Sequence, residues 1–251
     1  MALVELKFLG WDCPPLTTAC TWLIEHLGPD LSGYTVALPG SRAVRSLRLA
    51  LLREGQQRGV NVHAPDIVTI GSLTDRLVGG EGRVASGLVR RLCWEQALAE
   101  ASDEDRFSLS GSKATEGLVG LATQLRGLHA DLVAASLDVD QVLKAECIRT
   151  RPLEARRWQA VGQLQNAYRK ILEKLDLVDP HDRRRLALEH PSGEALNVIL
   201  IGIASREPLR AAALKQSTGT VQHLVFAPES IKDLFDDQGC VLPKEWPLRQ
   251  N

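Results

Sequence analysis

Arg42, Arg45 and Arg48 are the residues of this 251-residue sequence whose spacing most clearly suggests chemistry. They follow an apolar run, Tyr34–Leu38, and a Pro39-Gly40 turn, and they alternate with Val44, Leu47 and Leu51 at helical spacing. The pattern predicts a strand, a tight turn and a helix from Ser41 to about Gln56. Unpaired amides at a helix start attract anions, and guanidiniums beside them add charge-assisted bonds to phosphate oxygens. Arg42 and Arg45 are therefore the candidate phosphate contacts, with Gly40 and Ser41 shaping the turn. Basic charge at a helix N-terminus opposes the macrodipole unless an anion is near, which mildly favours a ligand. A solvated basic face accounts for the same residues equally well.

Other site chemistries lack their residues. A phosphate-binding loop needs G-x-x-x-x-G-K-[ST] after the first strand. That turn here is Gly10-Trp11-Asp12-Cys13-Pro14-Pro15-Leu16, with one glycine, no lysine and two prolines that carry no amide donor. Nowhere does Gly precede Lys. The apolar run Asn197–Ile203 continues into Ala204-Ser205 rather than into the Asp that would hold magnesium. Glu5-Leu6-Lys7 lacks the preceding Asp of a nuclease site. His181 and His190 are too widely spaced for a zinc pair on one helix, and no G-x-S-x-G occurs. No catalytic residue, metal or cofactor is expected.

The elements that must position the arginines read as three segments. Residues 1–83 alternate strand and helix: Val4–Leu9, Leu16–Leu27, Tyr34–Leu38, the basic helix, Ile67–Ile70, and a short helix capped by Gly71-Ser72. Such a rhythm implies a parallel sheet. Residues 84–190 read as helical, with apolar spacing through Leu88, Leu92 and Trp94–Leu98, through Leu118–Val133 and through Arg156–Leu175, and with a loop over Asp103–Thr115. Residues 191–251 return to strand (Asn197–Ile203), helix (about Arg206–Gln216), strand (Thr220–Phe226) and short helix (Glu229–Asp237).

Composition is that of a soluble globular chain: 44% hydrophobic and 24% charged residues, with 30 basic against 31 acidic side chains. A nucleic-acid contact would thus need a local patch. Arg149, Arg151, Arg156 and Arg157, and the run Arg183-Arg184-Arg185, read better as solvated faces or ion pairs with Glu146, Glu154 or Asp182. Trp94 and Trp158 fit helix interiors. Five scattered cysteines without a C-x-x-C pair, no signal-like N-terminus and no long apolar run point to a cytoplasmic protein without a membrane contact.

Val36-Ala-Leu-Pro-Gly-Ser-Arg-Ala-Val-Arg-Ser-Leu-Arg48 resembles the Leu-Pro-[Thr/Ser]-Arg-Arg-Ala-x-Arg-x-Leu segment of AddB-type subunits of bacterial ATP-dependent helicase-nucleases, in their branch of inactivated superfamily I helicases. Pro65–Leu73 is similar to the stretch that follows there. Arg157-Trp158, Tyr168 and Leu177-Val178-Asp179-Pro180 with Arg183-Arg184 resemble the family's helical insert. Val225–Glu229 and Phe235–Cys240 through Trp246 resemble a later block.

The resemblance implies a RecA-like (P-loop-NTPase-like) three-layer parallel sheet from residues 1–83 and 191–251, with an all-helical insert over 84–190. It implies a non-catalytic part of a helicase-nuclease for double-strand break repair, whose partners are DNA (single-stranded or a duplex end) and the motor subunit. The turn at Gly40–Arg45 would then be motif Ia, which lies against single-stranded DNA. Gly40 stands where the family has Thr or Ser, and Ser41 where it has Arg. Family members are longer and carry an iron–sulfur nuclease domain, so the chain is expected to be truncated or an excised N-terminal region. Two other readings stay open: a protein-interaction module without DNA affinity, and a nucleotide-binding enzyme with an unrecognised phosphate loop.

Overall fold

The computed structural model describes residues 4–79, 82–110, 117–189, 195–204 and 207–242. The chain divides into two compact units, residues 1–79 with 191–251, and residues 80–190. In chain order the first unit opens with β1 (Val4–Phe8), α1 (Pro15–Leu27), β2 (Tyr34–Leu38), α2 (Ser41–Arg58), β3 (Asp66–Thr69) and α3 (Ile70–Val78). The second unit holds α4 (Gly87–Glu100), α5 (Asp103–Ser110), α6 (Leu118–Ala134), α7 (Val139–Lys144), α8 (Glu146–Arg149), α9 (Pro152–Lys174) and α10 (Pro180–Glu189). The first unit then resumes with β4 (Asn197–Ile201), α11 (Pro208–Gln216), β5 (Val221–Val225) and a 3-10 turn over Glu229–Leu234.

The five strands form one all-parallel sheet in the order β1-β5-β4-β2-β3. Period-two alternation sends Val36, Leu38, Ile67, Ile199, Ile201 and Leu224 to one face. There they pack against Leu23 of α1 and Leu47 and Leu51 of α2. Ala37, Val68, Val198, Leu200 and Val221 go to the other face, against Leu73 of α3 and Leu214 of α11. Cover on both faces explains why β2 and β4 read as continuous apolar runs.

The edges are blunted. Glu5 and Lys7 pair on β1, and on β3 the Arg48 guanidinium donates to the Ile67 carbonyl at 3.3 Å while Asp66 pairs with Arg76. The helix after β3 starts at Ile70 with Thr69 as its N-cap residue, not at Gly71-Ser72. No helix among the described residues is long and apolar enough to cross a membrane.

The helical unit corrects two expectations. Asp103–Ser110 is a helix, not a loop. Ser102 accepts from the Asp105 amide, three acidic residues fill the first turn, and Arg106 donates to the Leu98, Ala99 and Ala101 carbonyls at the end of α4. Leu88 and Leu92 lie on the outside of α4, 59% and 49% exposed, while Cys93, Trp94, Ala97 and Leu98 make the buried face. Arg157 pairs with Glu154 and Arg156 with Glu104.

The core of this unit is organised by a buried polar group. Asp179 accepts from Tyr168 Oη at 2.6 Å and from the His181 amide at 2.7 Å, anchoring the start of α10. His129 Nε2 lies 3.5 Å from both Asp179 and Asp182, and Arg169 clamps Asp182 through two bonds of 2.8 and 2.9 Å. Trp94 stacks on Tyr168 at 4.4 Å. Burial raises the Asp179 carboxyl, but His129, Tyr168 and the His181 amide outweigh it and hold the group well below the ordinary carboxylate range.

Asp179→Ala is expected to destabilise the unit by about 3–5 kcal/mol, because it strands buried partners. Tyr168→Phe removes one bond and is expected to cost about 1–2 kcal/mol. Because the native value is depressed, the contribution of Asp179 is present above its unfolded value of 3.8 and is lost as pH falls through the native one. Urea denaturation of both variants checks the ranking.

Candidate nucleic-acid interface

Parallel strands bring all their C-terminal ends to one edge of the sheet. There α1 and α2 leave toward one face and α3 and α11 toward the other. β2 and β4 are therefore neighbours whose following helices diverge, the position at which open α/β sheets bind ligands.

The turn after β2 holds all four predicted site residues together. Gly40 is extended and gives α2 no side-chain cap. The first amide bonded back is that of Val44, to the Gly40 carbonyl at 3.1 Å, so the Ser41, Arg42 and Ala43 amides head the helix without intrahelical acceptors. Val44, Leu47 and Leu51 are buried, which turns Arg42 and Arg45 outward. Both side chains are exposed, and among the described residues neither has an ion-pair or hydrogen-bond partner. Arg48 does not join them; its guanidinium is engaged at the β3 edge.

The turn after β1 is built differently. The Leu9 and Gly10 amides donate to the Val225 and Ala227 carbonyls at 2.9 and 3.0 Å, which extends the ladder with β5. Pro14 and Pro15 then occupy the cap and first position of α1. The helix start is thus short of donors. After β4, Gly202 takes φ +63, and an added Cβ would lie 3.2 Å from the Phe226 ring. No carboxylate side chain occurs over Gly202–Ala204. Among the described residues no group of three or more His, Cys, Asp or Glu could hold a metal ion.

The middle of β5 carries a residue that pattern reading missed. His223 Nδ1 lies 2.6 Å from the Gln238 carbonyl, and the Ile203 amide points at Nε2 at 3.3 Å. The carbonyl can only accept and the amide can only donate. The ring is therefore neutral, with its proton on Nδ1. Burial, partly opposed by the Gln238 bond, holds its pKa below the usual histidine value. Around it closes the segment 235–241, where Asp236 accepts from the Gln238 and Cys240 amides at 2.9 Å. Gly239 takes φ +76, and a Cβ there would stand 2.5 Å from His223 Nδ1. Beside this closure is an apolar cavity of about 340 Å³ lined by Trp11, Gly202, Ala204, Phe226 and Phe235. No spacing rule links these residues, which meet only because β1, β4 and β5 are adjacent.

Neither a protein-family model nor a curated protein matches the chain.

Because the native His223 value is depressed, its contribution is present above its unfolded value of 6.5 and is lost as pH falls through the native one. His223→Gln is expected to lower stability by about 1–3 kcal/mol at pH 8. The gap between the two proteins should shrink toward pH 5, measured as urea midpoints across that range.

Proposed function

We propose that this chain is a RecA-like, inactivated helicase domain that acts without catalysis as a DNA-binding and scaffolding part of an ATP-dependent helicase-nuclease in double-strand break repair and recombination. The observation that carries the reading is the β2–α2 turn. Two guanidiniums without partners among the described residues stand beside a helix start whose first amides have no intrahelical acceptor, at the divergent point of the sheet. Phosphate oxygens complement that combination. A parallel sheet covered on both faces, with a helical unit between its third and fourth strands, is compatible with the RecA-like assignment. The β1–α1 turn supports the inactive part: its Leu9 and Gly10 amides are bonded to the β5 side of the sheet, and Pro14 and Pro15 carry none. The scaffolding part draws on the exposed Leu88 and Leu92, one turn apart on α4, an apolar stripe suited to a protein partner such as the motor subunit.

Fluorescence anisotropy with a labelled oligo-dT tests the DNA contact. Arg42→Ala/Arg45→Ala is expected to weaken binding and to flatten the slope of log K against log salt by about 1.4, since each phosphate contact on a single strand contributes about 0.7. An unchanged slope would remove these arginines from the interface.

A further inference from the structure

Trp11 is 58% exposed at the C-terminal edge of the same sheet, whereas Trp22 and Trp94 are buried. It lines the same cavity as Gly202, Ile203 and Ala204. Gly202, Ala204 and Ala227 give that lining small side chains, and Phe226 and Phe235 add apolar rings to it. The cavity floor offers little for polar readout, because His223 already uses both ring nitrogens. An aromatic plate over an apolar slot recognises a planar group by stacking, largely irrespective of its edge pattern.

The position of this slot relative to the arginines identifies the planar group. Ala37 of β2 lies opposite Leu200 of β4; Pro39-Gly40 follows the end of β2 and Gly202 the end of β4. The β2–α2 turn and the cavity wall thus follow neighbouring strands at the same edge of the sheet. An apolar slot for a flat ring thus shares the sheet edge with two cations that have no partner among the described residues and with the amides heading α2. A chain that alternates flat rings with phosphates matches that sequence of surfaces.

We propose that Trp11 and the cavity beside it form a base-stacking subsite for single-stranded nucleic acid, with the flanking phosphates on Ser41, Arg42 and Arg45. The assignment rests on the DNA-binding reading of the β2–α2 turn and extends it to a residue and a cavity outside that turn. The subsite accepts purines and pyrimidines alike.

The test uses the whole chain, with anisotropy of a labelled oligo-dT and of the same strand carrying abasic spacers. Trp11→Ala is expected to weaken oligo-dT binding roughly tenfold or more, and Trp11→Phe to retain most of the affinity. Abasic substitution should weaken the wild type to a similar extent and leave Trp11→Ala almost unaffected, because both changes remove one stack. The slope against salt should stay as in the wild type, which separates this loss from that of the arginines. If Trp11→Ala binds as the wild type does while Arg42→Ala/Arg45→Ala is impaired, the stacking subsite is wrong and the arginine contact stands. If the wild type binds no oligonucleotide, both proposals fall together.

Discussion

Parallel strands cannot be joined by tight turns, so each must return through a crossover, and every strand then ends at the same edge of the sheet. That constraint organises the α/β unit. It obliges helices to cover both faces, which demands apolar side chains on both sides of β2 and β4. It also gathers four loops of very different chemistry: the Pro14-Pro15 turn, the Gly40–Arg45 turn, the Gly202 turn and the closure around His223. Whatever this unit binds, its polar backbone groups are most available there, because elsewhere the sheet is covered.

The four loops divide the work of that edge. Two are spent on cohesion. The Leu9 and Gly10 amides bond to Val225 at the end of β5 and to Ala227 beyond it, and His223 ties the turn after β4 to the 235–241 closure through a neutral ring. An imidazole that donates on one side and accepts on the other has no room for a second proton, so the closure is strongest in neutral and alkaline solution. Only the β2–α2 turn leaves amides and cations together without intramolecular partners among the described residues. The helical unit solves a separate problem. Its α10 buries only Asp182 and Ala187, and is held chiefly by the bonds of Asp179 and Asp182 rather than by an apolar stripe.

How much of this was legible in the sequence follows the same physics. The limits of β2 are legible to the residue and those of β4 and β5 to within two residues, because strands covered on both faces are short apolar-rich runs closed by turn residues. Arg42 and Arg45 were legible because Val44, Leu47 and Leu51 fix which face of α2 is buried. α5 was missed because serine and aspartate favour both loops and helix starts, and Ser102 decides between them only through its bond to Asp105. The Trp94–Leu98 stretch is the part of α4 that the sequence places in the core correctly; Leu88 and Leu92 share helical spacing with it but face outward. α7, α8 and α10 are short or charged, so periodicity does not reveal them. The meeting of Trp11 with Gly202 and Phe226 depends on strand order, which no local pattern encodes.

Backbone amide chemical shifts test the division of that edge most directly. A titration of the isotope-labelled chain with oligo-dT, and separately with magnesium ATP, reports on both turns at once. The account predicts shifts at Ser41–Arg45 with the oligonucleotide and none at Gly10–Leu16 with the nucleotide. Saturable shifts at Gly10–Leu16 on adding magnesium ATP, with Ser41–Arg45 unmoved by DNA, would contradict it.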